Sequence, residues 1–374
     1  MRRGLEAFRE DADAWRAAVG ARVPVYDRLL AAAGALLESP AGPVEEAARA
    51  RVEAAWRERR FSPGYDRPLL LMAALRAEVL RAGARHPLFA AIGAGPVDLT
   101  GATREALAAA LADAPPRLHV DLATRRVQTN ETSRAVAWLW PAALAGCTDA
   151  RRPLALADLG CSGGLNLIGD RLAPLWTDAA GAPLPVATGA AIVARRGFDA
   201  QPLDVGRDGD LHWLRACVWP GETARLARLE QAAAAFRDFD STNAAAPRLE
   251  VADVVDVPAR LERWARALPP GTTLLAYQTV VRDYLAEAPK AQYLAGMTAW
   301  AAAAAPGGPR RIWISLEAAP DADAGKDPAR LPMALEAHVA DGAGGARALT
   351  LARCSYHPDR LALDATAVAA LASW

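Results

Sequence analysis

The stretch Leu154-Ala-Leu-Ala-Asp-Leu-Gly-Cys-Ser-Gly-Gly-Leu-Asn-Leu167 decides the fold. A short apolar run delivers an acid, Asp158, then breaks into Gly160, Gly163 and Gly164 before apolar residues resume. That pattern describes a buried parallel strand that ends, turns tightly and opens a helix. Glycines at such a turn let the backbone approach a ligand, and a helix start offers N–H groups with no intrahelical partner. The acid is placed to receive polar groups of a small molecule. Read alone, the same residues also describe a plain turn.

Outward from this stretch, strands alternate with helices from about residue 150. Strands are expected at 154–160, 190–196, 248–253, 272–279, 310–317 and 347–353, with helices at 222–238, 258–267, 284–303 and 328–340. Alternation of this kind argues for a parallel sheet covered on both faces. Near the end, Ala348–Arg353 and Arg360–Leu363 flank Ser355-Tyr-His-Pro-Asp359, which reads as an antiparallel hairpin closing the sheet. Ahead of the sheet, Leu5, Phe8, Ala12 and Trp15 recur near helical spacing, as do Val52, Ala55, Trp56, Leu69, Met72, Leu75 and Val79. Breaks fall at Ser39-Pro40, Ser62-Pro-Gly64 and Gly93-Ala-Gly-Pro96. The expectation is an α/β protein: a helical N-terminal domain over 1–125, then a mostly parallel sheet domain over 126–374.

Composition narrows the function classes. The 43 basic and 43 acidic side chains cancel, so no global field argues for nucleic acid or an anionic membrane. The cysteines Cys147, Cys161, Cys217 and Cys354 are scattered, with neither a CxxC pair nor a disulfide framework, which fits a reducing cytoplasm. The first ten residues are charged throughout, and no apolar run approaches the ~20 residues of a membrane helix. A cytoplasmic protein is expected. The histidines form no HxxxH or Cys/His pattern, so no metal site is expected.

Three acids stand at expected strand ends: Asp158, Asp199 in Gly197-Phe-Asp-Ala-Gln-Pro202, and Asp253 in Val251-Ala-Asp-Val-Val-Asp-Val-Pro258. Open parallel sheets bind ligands beyond the carboxyl ends of their strands, where the strand order reverses. Asp199 and Asp253 also read as caps of turns or helices. In motif and order, the three segments resemble the successive S-adenosylmethionine motifs of class I methyltransferases, a Rossmann-like fold with an antiparallel terminal hairpin. The resemblance implies S-adenosylmethionine as cofactor and a small-molecule acceptor. It places Gly160, Ser162 and Gly164 against the methionine part, Asp158 near its ammonium, and Asn166 among the cofactor-binding residues. It gives Asp199 the ribose hydroxyls and Asp253 the adenine amine, with the Val254 N–H as a further donor. Ser162 stands where the middle glycine is usual, and Asp199 follows Asp158 by 41 residues, against roughly 20 in dinucleotide folds. The segment Pro174–Gly189 is expected to supply the excess as a loop or hairpin. A nicotinamide site would need glycine at Ser162 and Leu165, and the turn is out of register for a Gly-x-Ser-x-Gly nucleophile elbow.

Arg85-His-Pro-Leu-Phe89, Thr129-Asn-Glu-Thr-Ser-Arg134, Gly163–Arg171 and Arg196–Asp204 carry a second resemblance, as do Trp213-Leu214 and Val218-Trp-Pro220. Most of the chain is similar to a bacterial family catalogued as domain of unknown function 2332, which implies a methyltransferase-like fold and names no reaction.

Methyl transfer needs alignment above all, and a hydroxyl or amine acceptor adds a general base. By analogy of position Gln278 would face the transferring methyl, and Asp283 and Tyr284 could orient an acceptor. Arg282, Asp283 and Tyr284 equally describe an exposed helix start and core packing. On a helix expected around 129–134, Asn130 and Arg134 share a face, and Glu131 or Arg134 could grip cofactor or acceptor. A local Glu131–Arg134 pair is the plainer reading. His357, on the terminal hairpin's turn, could reach the open sheet edge; Glu317 is either catalytic or satisfies a neighbouring helix start. Trp213 and Trp219 either bury an insert against the helical domain or form a lid. The leading expectation is a methyltransferase whose helical domain roofs the acceptor. Its alternatives are a catalytically silent scaffold of the same shape and another enzyme using a nucleotide on this fold.

Overall fold

The computed structural model describes residues 2–61, 65–239, 242–303, 308–319 and 331–374. They divide into two compact units, Met1–Thr129 with Asp208–Ala227, and Asn130–Arg207 with Arg228–Trp374.

In the first unit a two-residue ladder pairs β1 (Arg2–Arg3) with β2 (Arg60–Phe61). Its other described regular elements are helices. Proline opens the helices Pro24–Glu38, Pro43–Trp56 and Pro116–Thr124, where its missing N–H costs nothing and its φ suits the first turn. Helix Asp66–Ala82 is buried on almost every side, including Arg67, Arg76 and Glu78. Arg67 pairs with buried Asp11, and Glu78 accepts from Arg81 and Arg117, as buried charges require. Helix Asp208–Cys217 packs against Asp66–Ala82. Trp213 is buried there, its indole N–H donating to the Arg126 carbonyl at 2.8 Å. Trp219 meets Trp15 edge-on at 6.0 Å. Both tryptophans are packing residues of this unit. The expected break at Ser62-Pro-Gly64 lies outside the described residues.

The second unit is built on a nine-stranded sheet. Its strands are β3 (Leu154–Leu159), β4 (Thr177–Asp178), β5 (Ile192–Asp199), β6 (Pro247–Val251), β7 (Thr273–Thr279), β8 (Arg310–Ala318), β9 (Met333–Ala340), β10 (Ala346–Cys354) and β11 (Arg360–Leu363). Their order across the sheet is β4-β11-β10-β9-β8-β7-β3-β5-β6. β6, β5, β3, β7 and β8 run parallel, so the order reverses direction beside β3 and β7. Side chains alternate between faces. Leu154, Leu156, Leu275, Tyr277, Ile312 and Ile314 pack with Trp138 and Leu139 of helix Val136–Leu144. On the other face, Ala155, Ala157, Leu274, Ala276 and Trp313 pack with Leu261 and Trp264 of helix Val257–Ala267, and with Tyr293, Met297 and Trp300 of helix Glu287–Ala302.

Two elements differ from expectation. Of the helix expected over 328–340, residues 328–330 lie outside the described residues, and Met333–Ala340 forms β9, antiparallel to both β8 and β10. Ala, Leu and Glu favour helix locally, but ladders on two sides and the inward alternation of Met333, Leu335, Ala337 and Val339 prevail. The expected hairpin β10–β11 is present, as the end of a longer antiparallel run. After the glycine turn the chain forms a 3₁₀ segment, Leu165–Arg171, in place of a regular α-helix. The excess before Asp199 holds a small hairpin in which Thr177 bridges to Pro183 and Asp178 caps its turn.

Candidate functional site

The glycine turn sits at the carboxyl end of β3, where the sheet order reverses. Gly160 (φ 81°), Ser162 (φ 52°) and Gly164 (φ 70°) all occupy the left-handed region. Serine there is strained, by about 1–3 kcal/mol. Its backbone is held from both sides: the Ser162 N–H donates to Asp199 Oδ2 at 2.9 Å, and its carbonyl accepts from Leu203 N at 3.0 Å. Asp199 Oδ1 accepts from Gln201 N at 2.8 Å. Asp199 thus ties the two strand-end loops together, with lone-pair capacity remaining on each oxygen.

Asp158 is buried. The β3–β7 register sets it opposite Tyr277, whose hydroxyl donates to Asp158 Oδ2 at 3.0 Å. Burial pushes its carboxyl up to about 7 and nearby Asp199 adds to the rise, while the Tyr277 hydrogen bond opposes it. Burial and Asp158 together push the Tyr277 phenol well above its ordinary range. Two oxygens in the turn segment, Ser162 Oγ and Asn166 Oδ1, are buried with no hydrogen-bond partner. Such groups are uncommon in native interiors and call for a cause.

Other features of the turn serve packing within the chain. A Cβ on Gly160 would lie 2.6 Å from Val281 Cγ2, and one on Gly164 would lie 2.7 Å from Leu249 Cδ2. The Leu165 N–H donates to Asn130 Oδ1 at 3.1 Å, while Asn130 Nδ2 reaches the Cys161 carbonyl at 3.4 Å. Asn130 therefore clamps the turn. The helix expected around 129–134 begins later, as the 3₁₀ turn Thr132–Ala135 with Glu131 as its cap. Buried Glu131 accepts from Ser133 N at 3.1 Å, pairs with Arg228 Nη2 at 3.3 Å and lies 3.4 Å from His357 Nδ1. Arg134 donates to the Tyr356 carbonyl at 3.1 Å. Cys354 pairs with Met333, which also pairs with Ala318 at the end of β8. The turn bearing His357 thus lies at the same end of the sheet as the glycine turn.

Four expected residues stand elsewhere. Gln278 is fully buried on the opposite face from Tyr277: its Nε2 donates to Glu317 Oε1 at 2.6 Å, and its Oε1 accepts from Tyr293 Oη and Trp313 Nε1. Strand alternation turns the amide into this network, so the expectation that it faces a transferring methyl is corrected. Glu317 also accepts from the Val281 and Arg282 N–H groups at 3.0 and 3.3 Å, the satisfied-loop reading; burial pushes its carboxyl upward. That anchor holds Val280 at φ 56°, an outlier for a β-branched residue. Asp283 and Tyr284 are exposed in the turn that follows. Asp253 is exposed and accepts from Val255 N at 3.1 Å, capping the turn Val254–Asp256.

Tyr277 and Arg228 escaped the sequence reading. Tyr277 could have been found, because it lies near the end of a strand that the sequence shows; Arg228 carries no local signal. Among the described residues no group of three or more His, Cys, Asp or Glu side chains could hold a metal ion, and no helix is long and apolar enough to cross a membrane.

No curated protein and no solved structure matches this chain. Residues 6–362 match one family, described as an uncharacterised protein conserved in bacteria, domain of unknown function 2332, and with nearly its whole length covered the chain belongs to that family.

Proposed function

We propose that the sheet unit is a Rossmann-like, S-adenosylmethionine-dependent methyltransferase domain acting on a small-molecule acceptor. The observation that carries the reading is the pair of buried, unpartnered oxygens, Ser162 Oγ and Asn166 Oδ1, in the turn beside buried Asp158. Acceptor oxygens and an acid suit the ammonium end of the cofactor's methionine part. Asp199, already braced by two backbone N–H groups, keeps lone pairs for ribose hydroxyls. Asp253 holds Val255, so the adenine role falls on the backbone at Val254. When bound, the cofactor supplies an electrophilic methyl on a sulfonium whose departure leaves a neutral thioether. On the acceptor side, His357, whose Nδ1 lies 3.4 Å from Glu131 Oε2, would take the proton of a hydroxyl or amine acceptor.

Calorimetry tests the reading. Heat of binding from S-adenosylhomocysteine at millimolar concentration is expected, weakened about tenfold by Asn166→Ala as one hydrogen bond is lost. No heat from either S-adenosylmethionine or S-adenosylhomocysteine would overturn it. A second reading, a catalytically silent scaffold, draws support from the side chains of Val281 and Leu249, which sit where the glycines permit close approach. Transfer of labelled methyl to any component of a cell extract would exclude it.

A further inference from the structure

On the sheet face opposite Tyr277, four polar side chains from four segments gather around one carboxylate, that of Glu336. Ser315 lies across from Glu336 in the β8–β9 register, and Thr350 lies across from Glu336 in the β9–β10 register. Arg282 leaves the loop after β7 and donates through Nη2 to Ser315 Oγ at 3.3 Å; Ser315 Oγ in turn donates to Glu336 Oε2 at 3.5 Å. Thr350 Oγ1 donates to Glu336 Oε1 at 3.3 Å. His338 Nε2 stands 3.9 Å from Glu336 Oε2, and its ring stacks on Trp313 at 4.2 Å between centroids. Burial pushes this imidazole down to about 4, with Glu336 opposing and Arg282 adding to the fall, so it is neutral at physiological pH.

Three features set the cluster apart from an ordinary ion network. Arg282 and Glu336 lean on the same hydroxyl without pairing with each other, although opposite charges at a half-buried site gain by closing the gap. Arg282 Nε and His338 Nε2 are buried with no hydrogen-bond partner. Every contact around the Glu336 carboxylate is long, between 3.3 and 3.9 Å. A cation and an anion held apart across Ser315 Oγ, with the guanidinium Nε unused, match a ligand carrying both charges.

We infer that Arg282, Ser315, Glu336 and His338 form a binding site for a free α-amino acid or an equally small zwitterion. Its carboxylate takes the Nε and Nη2 donors of Arg282, the fork that suits a carboxylate. Its ammonium replaces Ser315 and Thr350 as the main partner of Glu336. Its side chain lies toward the Trp313–His338 stack. The inference does not rest on the cofactor reading. Its probes contain no nucleoside, so binding of nucleoside and of amino acid succeed or fail separately.

The test is a thermal-shift screen of the proteinogenic L-α-amino acids at millimolar concentration, followed by calorimetry of the member giving the largest shift. Acetate and methylammonium chloride serve as the two half-charged controls. At least one amino acid is expected to raise the unfolding midpoint and give saturable heat, and neither control should do so. Arg282→Gln and Glu336→Gln should each weaken binding by about tenfold or more, as loss of a charged hydrogen bond does. Arg282→Lys should fall between wild type and Arg282→Gln. Circular dichroism and the unligated midpoint establish that each variant is folded. The inference is overturned if no amino acid moves the wild-type midpoint, if acetate or methylammonium binds as well as the zwitterion, or if a folded Arg282→Gln or Glu336→Gln binds like wild type.

Discussion

Asp158→Asn is expected to make the protein more stable at pH 8 and nearly unchanged at pH 4. The Asp158 carboxyl ordinarily ionises at 3.8 and is pushed up to about 7 in the fold, chiefly because it is buried. A group whose folded pKa is raised contributes stability that is fully present below its unfolded pKa. That contribution is lost as pH rises through the folded value. Each unit of difference corresponds to about 1.4 kcal/mol, so the cost of burying the charge reaches ~4 kcal/mol above about pH 7. Asparagine keeps the shape and the acceptor oxygen for Tyr277, and it carries no charge to bury. The stability difference between variant and wild type should therefore grow between about pH 4 and pH 7 and level off beyond. In urea unfolding followed by far-ultraviolet circular dichroism, that is a midpoint separation of about 1–2 M at pH 8. The same separation at pH 5 and pH 8 would refute the argument, because only a titrating group makes it pH-dependent.

Three further outcomes follow from the same loops. Ser162→Gly should stabilise the protein by about 1 kcal/mol, since it relieves a left-handed serine and removes a buried unpaired hydroxyl; a drop in midpoint temperature would contradict the strain. Gly160→Ala should destabilise by about 2 kcal/mol or more, because the new Cβ meets Val281 at a left-handed position. Adding Val281→Ala should restore part of the loss, a coupling that a double-mutant cycle in urea would measure and that strict additivity would deny. Glu317→Ala should cost about 3 kcal/mol, because it strands two backbone N–H groups and the Gln278 amide together. Faster amide exchange at Val281 and Arg282 should accompany it, and unchanged exchange there would show that the carboxylate is not the anchor.

Much of the sheet was legible because parallel strands buried on both faces leave a plain signal, as in Leu154–Leu159. β9 was not, since Met-Ala-Leu-Glu-Ala-His-Val-Ala has helical propensity and becomes a strand only through two neighbours distant in sequence. The same limit applies to the site. Asp158, the turn and Asp199 were visible as an acid, a glycine cluster and a corner before proline. The Asn130 clamp on the turn and the Glu131–His357 contact join segments 31 and 226 residues apart, and no local pattern encodes such a meeting. Gln278 was misread because its neighbours along the chain give its depth in the strand and not which face receives it.

By itself, then, the sequence determined where strands end and which acids stand at those ends, because hydrophobic period and turn chemistry are local. Only the tertiary structure decided what those acids do. Register put Tyr277 against Asp158 and left Asp253 a surface cap, and alternation sent Gln278 to Glu317. Register also drew Ser315, Glu336 and Thr350 into line beneath Arg282. Partner choice depends on burial and on which face of a strand a side chain leaves from, and both arise only when distant strands come to lie side by side.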